Sequence, residues 1–131
     1  MLNSNPYTSL ALCIKVTMTD STWDEKYARE GDPSKAPSLF LAQQINCLSR
    51  GKALDLAMGS GRNSIFLALN GYEVEAIDYS SVAVSKLQSY VKEHSLSITV
   101  KQADLTTYRI PDDTYDLIIN FNYLERSLIS Q

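Results

Sequence analysis

The stretch "DLAMGSGRN", residues 55–63, sets two glycines one residue apart behind an acidic, otherwise apolar run. Glycines spaced this way at a strand end let a ligand lie against bare backbone, and the free N–H groups opening a following helix can meet a carboxylate. Gly59 and Gly61 are those glycines, and Asp55 stands four residues before the first, well placed for an ammonium group. Asp78 follows 19 positions after Gly59, where an acid that accepts from two ribose hydroxyls is expected. Asp104 can accept from an adenine amino group. Together these groups suit an adenosyl ligand with a cationic tail. A nicotinamide dinucleotide has no ammonium to offer Asp55, and its fingerprint would need a third glycine where Ser64 stands.

These residues act together only if the fold gathers them, and the flanking pattern does that. "TDSTWDEKYARE" opens with cap-type residues and sets Trp23 and Tyr27 four apart, on one helical face. After the proline-containing loop "GDPSKAP", "SLFLAQQINCLSRG" reads as a second helix, with Ser38 as N-cap and Gly51 as its stop. "KALDLAM" has the short apolar character of a buried parallel strand. "GRNSIFLALNG" returns to helical spacing through Ile65, Phe66 and Leu69, with Gly71 as C-terminal cap. "YEVEAID" is a strand with Val74 and Ala76 on one face, and "SSVAVSKLQSYVKEHS" a helix with Val84, Leu87 and Val91 as its stripe. "SITVKQAD" is a third strand, "TYDLIINF" a fourth, and "NYLERSLISQ" starts another helix. Such alternation predicts a parallel sheet covered on both faces, with ligands outside the carboxyl ends of the strands. Those ends carry Asp55 to Gly61, Asp78, Asp104, and Asn120 with Phe121.

In order and spacing, "WDEKY", "LDLAMGSGRNSIFLALNGYEVEAID", "QADL" and "YDLIINFNYLERS" resemble class I S-adenosylmethionine-dependent methyltransferases, and among them the TehB-type tellurite-resistance methyltransferases. The resemblance implies a Rossmann-like three-layer α/β sandwich with strand order 3-2-1-4, and methyl transfer from S-adenosylmethionine to a small acceptor such as tellurite. It implies that Asp55, Gly59 and Gly61, with Ala57, hold the methionine portion. Asp78, followed by Tyr79, would take the ribose, and Asp104 with Leu105 the adenine. Asn120 and Phe121 would border the sulfonium, and Trp23, Tyr27 and Arg62 would close over the cofactor. Ala57 stands where many of these enzymes have a glycine, yet the glycines needed for close approach remain. No acid–base dyad is visible, which fits a soft acceptor. The family continues through three further strands after the fourth. This chain reaches Gln131 inside a helical pattern, so it reads as the cofactor half of the fold, cut after the fourth strand.

Simpler readings stand beside these. Asp55 can cap a helix or pair with a cation, Asp78 can cap the helix after it, and Asp104 can be a loop acid. Trp23 and Tyr27 can be packing residues. A non-catalytic binding module is the alternative to an enzyme. With 12 basic against 15 acidic residues and a formal charge of −3, no field favours nucleic acid. Cys13 and Cys47 lack metal-ligand spacing and read as reduced thiols of a cytoplasmic protein. "SLALCIKV" has no positive region before it and is interrupted by Lys15, so it reads as neither an export signal nor a membrane span. Residues 1–17 read as an extension, with the domain over 18–131. In the implied strand order "DLIINF" is an edge without proline, lysine or bulge, which predicts self-association through residues 116–121.

Overall fold

Four short runs pair into one parallel sheet: β1 (Lys52–Leu56), β2 (Glu73–Asp78), β3 (Ile98–Gln102) and β4 (Leu117–Asn120), in the order β3-β2-β1-β4. The computed structural model describes residues 20–31 and 36–121. The expected extension over residues 1–17, the boundary at residue 18, Cys13 and the helical pattern after Phe121 lie outside them. The register sets Asp55 opposite Ala76 and Ile119, Leu56 opposite Ile77 and Asn120, and Asp78 opposite Gln102. All four carboxyl ends therefore meet along one edge of the sheet, in the predicted strand order.

Parallel neighbours need crossovers. Here α3 (Arg62–Leu69) joins β1 to β2 and α4 (Ser81–His94) joins β2 to β3, while α1 (Asp20–Arg29) and α2 (Leu39–Gln44) precede the sheet. Because side chains alternate along a strand, Ala53, Val74, Ala76, Ile98 and Ile119 share one face. They form the larger core with Ile65 and Leu67 of α3, with Ala83, Val84 and Leu87 of α4, and with Tyr27 and Leu41. On the opposite face Leu54, Leu56 and Ile77 pack with Leu105, and Tyr108, Ile110 and Tyr115 lie against them. Among the described residues the helices thus cover the first face and the segment after β3 covers the second. Glu75 is buried on that second face, 2.7 Å from Lys101 Nζ and 3.9 Å from Lys52 Nζ. Burial works against its charge, but Lys101 and the Tyr115 hydroxyl outweigh it and hold its carboxyl below the usual range.

Two boundaries differ from those read in the sequence. The second helix does not run to Gly51: it tightens to a 3₁₀ turn at Ile45–Cys47, and Leu48 is extended at φ −91° and ψ 146°. Asn46, Cys47 and Ser49 are weak helix formers, and Leu48 instead packs against the larger core. Ser38 precedes this helix without a side-chain cap; its N–H donates instead to Asn63 Oδ1 at 2.8 Å. In α3, Leu69 is 70% exposed although its spacing put it on the apolar stripe. The inward face is centred on Ser64, Leu67 and Ala68, and it includes a hydrogen bond from Ser64 to Asp55 beneath it.

Two contacts fasten α1 to α4. Ser80, the N-cap of α4, accepts from the Ala83 N–H at 3.2 Å, and its hydroxyl donates to Asp24 Oδ1 at 2.5 Å. Lys86 Nζ donates to the carbonyls of Tyr27 and Glu30, each at 2.5 Å, where α1 ends. Ser80→Ala removes both the cap and the Asp24 contact. We expect it to cost about 1–3 kcal/mol in chemical denaturation, with α1 amides exchanging faster than those of the sheet.

Candidate functional site

The turn from β1 into α3 is where backbone and acids converge. Met58 extends the ladder by donating to Ile77 O at 3.0 Å, and Gly61 N–H closes the turn on Met58 O at 3.0 Å. Gly59 has φ 60°, and a Cβ there would sit 3.2 Å from the Tyr27 hydroxyl. Gly61 has φ 86°, and a Cβ there would sit 2.7 Å from the Leu87 methyls, so both the backbone conformation and helix packing require this glycine. Ala57 adopts φ 58° and carries its methyl in the left-handed region, which costs about 1–2 kcal/mol. The missing glycine at that position therefore has a structural consequence.

Beneath this turn lie two carboxylates. Asp55 is 2% exposed, and Ser64 Oγ donates to its Oδ2 at 2.6 Å. Asp78 is also buried; its Oδ2 accepts from Gly59 N–H and its Oδ1 from Ser80 N–H, both at 2.9 Å. Burial pushes the Asp55 carboxyl up to about 7, against the pull of the Ser64 hydroxyl, and the charge of Asp78 adds to the rise. Burial also raises Asp78, opposed by the N–H groups of Ser80, Gly59 and Tyr79 and reinforced by Asp24. Burial, then Asp78 and Glu30, push the Tyr27 phenol above its usual range, so it stays a neutral hydroxyl. The ion pairs seen among the described residues belong to Glu75 on the other face. Among the described residues Asp55 and Asp78 have no such partner.

The remaining predicted residues reach the same edge by different routes. Trp23 and Tyr27 stack with centroids 5.9 Å apart and planes at 18°, and Lys26 Nζ lies 5.1 Å and 5.5 Å from their centroids. Arg62 Nη1 donates to Ala36 O at 3.3 Å, so α3 holds the segment that enters α2. Tyr79 is exposed beside Asp78, and the Gln102 amide donates to its carbonyl at 3.1 Å. Ala103 N–H donates to Asp78 O at 3.0 Å and keeps Asp104 at the edge. Asp104 is exposed, and its Oδ1 takes the Thr106 hydroxyl at 2.6 Å and N–H at 2.9 Å, which lower its carboxyl. The Leu105 side chain is buried in the second core. Asn120 Oδ1 is buried without a hydrogen-bond partner among the described residues, and Phe121 packs against the larger core. Asn63 and Ser64 escaped the sequence reading, although two polar residues directly after a glycine turn were the available signal.

The family model described as "Tellurite resistance protein TehB" matches residues 23–131. The chain belongs to the TehB family. It is 31% identical over 78 residues to Hemagglutinin 1 of Eikenella corrodens, covering 60% of this chain and 26% of that one. It is 32% identical over 85 residues to the probable S-adenosyl-L-methionine-dependent methyltransferase TehB of Haemophilus influenzae, covering 63% of this chain and 29% of that one. The chain thus spans between a quarter and a third of the length of these curated relatives. The crystal structure of TehB from Haemophilus influenzae superposes with a TM-score of 0.61 at 27% identity, over 77% of this chain and 33% of that one. The TehB-family match spans the glycine turn, both buried acids and all four strands.

The raised affinity of Asp55 for its proton fixes a sign. A folded-state value above the unfolded one adds stability that is complete below about pH 4 and is lost as pH rises through about 7. Asp55→Asn should therefore stabilise the ligand-free protein at pH 8 by on the order of 2–4 kcal/mol, seen as a higher melting midpoint, and change its stability little near pH 4. Thermal unfolding at the two pH values checks this.

Proposed function

We propose that this chain binds S-adenosylmethionine at the carboxyl edge of its sheet and forms the cofactor-holding part of a cytoplasmic methyltransferase for a small acceptor. Tellurite is the acceptor that the family name suggests. The observation that carries this reading is the pair of buried carboxylates, Asp55 and Asp78, set beside a glycine turn without a basic partner. A ligand seated there has to bring positive charge, and the sulfonium and ammonium of S-adenosylmethionine do. The pyrophosphate of a dinucleotide brings the opposite sign.

In this reading each Asp78 oxygen, already holding one N–H, uses a second lone pair for a ribose hydroxyl, with Tyr79 alongside. Asp104 and the main chain of Leu105 take the adenine. Asp55, Ala57, Gly59 and Gly61 face the methionine portion, Asn120 and Phe121 flank the sulfonium, and Trp23, Tyr27 and Arg62 cover the site. Bound S-adenosylmethionine supplies an electrophilic methyl group on sulfur. The chain's own residues orient it and exclude water, and a soft acceptor needs little proton transfer. No helix among the described residues is long and apolar enough to cross a membrane.

Calorimetry with S-adenosylhomocysteine should show binding that Asp78→Ala weakens by about 1–3 kcal/mol, and no comparable binding of a nicotinamide dinucleotide. Unchanged affinity in that variant would remove the ribose assignment, and tighter binding of the dinucleotide would remove the cofactor. Incubation with methyl-labelled S-adenosylmethionine and tellurite tests the acceptor.

Self-association is the second part of the proposal. Among the described residues β4 pairs with β1 alone, and its Ile118 is 46% exposed. Light scattering should show association of the chain that Ile118→Lys reduces. A monomer before and after the change would dismiss it.

A further inference from the structure

Ser64 sits in the first turn of α3 with 0% of its surface exposed, facing the core between Gly61 and Leu67. A hydroxyl that is buried without a partner is costly, and an alanine would pack at that position without the cost. The partner that makes serine suitable is Asp55, whose Oδ2 accepts from Ser64 Oγ at 2.6 Å. We propose that Ser64 is a positioning residue, whose buried hydroxyl fixes the Asp55 carboxylate beneath the glycine turn in the form and orientation that the cationic methionine end of an S-adenosyl ligand requires. The inference rests on the cofactor reading above and adds to it a residue that contacts the acid and not the ligand.

The surroundings of Asp55 leave Ser64 this role. From β2 it faces Asp78, whose charge disfavours a second one nearby. From β4 its register neighbour is Ile119, followed by Asn120, and neither titrates. The α1 helix brings the Tyr27 phenol over the same turn, neutral because of its own burial. The cations nearest in sequence are engaged elsewhere: Lys52 lies 3.9 Å from Glu75 on the other face, Arg50 donates to Asn70 O, and Arg62 donates to Ala36 O. Ser64 is thus the side-chain donor that favours the charged form of Asp55, against both burial and Asp78. Without it the carboxyl would hold its proton at neutral pH, and a neutral acid offers little to an ammonium group. The hydrogen bond lies on the same inward face of α3 that places Leu67 and Ala68 against the core.

The experiment has two readouts. Carbon-13 NMR of the Asp55 carboxyl in ligand-free protein gives its titration midpoint directly, and calorimetry with S-adenosylhomocysteine at pH 7 and pH 9 gives affinity. Ser64→Ala should move the midpoint up by about one pH unit and weaken binding about fivefold at pH 7, but less than about twofold at pH 9, where the acid is charged in either protein. Ser64→Cys, which keeps a weak donor of similar size, should fall between. In an Asp55→Asn background, Ser64→Ala should change affinity by less than about twofold. An unmoved midpoint, or an equal loss at both pH values, overturns the role of Ser64 and leaves the cofactor reading standing. Failure of the unaltered protein to bind S-adenosylhomocysteine overturns the cofactor reading, and the midpoint then still decides whether the hydroxyl acts on Asp55.

Discussion

Asp55 and Asp78 end adjacent parallel strands on one face of the sheet, with a glycine turn folded over them and little water in reach. Two carboxylates so placed repel each other and lose hydration, and the local chain is arranged around limiting that cost. Gly59 turns its N–H back to Asp78, Ser80 gives its N–H to the same acid, and Ser64 gives its hydroxyl to Asp55. Each of these donors also belongs to an element. Gly59 shapes the turn, Ser64 lies on the inward face of α3, and Ser80 caps α4. The helices on the first face are therefore oriented by polar contacts at their N-termini as well as by the apolar surfaces they bury.

From Ser80 the constraint extends to α1. The hydroxyl that caps α4 also donates to Asp24, and Lys86, farther along α4, holds the carbonyls at the end of α1. With the middle and the C-terminal end of α1 fastened to α4, Tyr27 is carried over Gly59. The absence of a side chain at Gly59 thus serves the fold before any ligand arrives, because it admits the Tyr27 hydroxyl.

Much of this was legible in the sequence, for identifiable reasons. Strands buried on both faces leave apolar runs, glycines mark the sharp turns, and an acid at a strand end stands out against the run that leads to it. That is why Asp55, Gly59, Gly61 and Asp78 stood out, while the strand order that brings them to one edge came from the resemblance to the methyltransferase family. What escaped depends on contacts between residues far apart or on polar groups turned inward. Periodicity assigned Leu69 to the core and left Ser64 aside, because hydrophobic spacing cannot register a hydrogen bond to Asp55. Glu75 reads as an outward residue between Val74 and Ala76, yet it is buried because Lys101 and Tyr115 reach it across the second face. Ser38 has the chemistry of a cap, but its N–H was drawn to Asn63, 25 residues away.

The two faces of the sheet illustrate opposite solutions to one problem. On the second face the buried Glu75 has Lys101 at 2.7 Å and Lys52 at 3.9 Å, and its charge is settled within the chain. On the first face Asp55 is pushed up to about 7 with hydrogen-bond donors and no cation to settle it. A stable fold has no need of that second arrangement, since an amide or apolar residue would be cheaper to bury. Its cost falls once a cation lies over the acids, so binding and stability draw on the same interaction. An acid kept close to its titration point by Ser64 on one side and Asp78 on the other responds strongly to that arrival, because a nearby positive charge lowers its proton affinity and returns it to the charged form. In the proposed cofactor reading, the cost of burying these acids in the ligand-free site favours a ligand that brings positive charge.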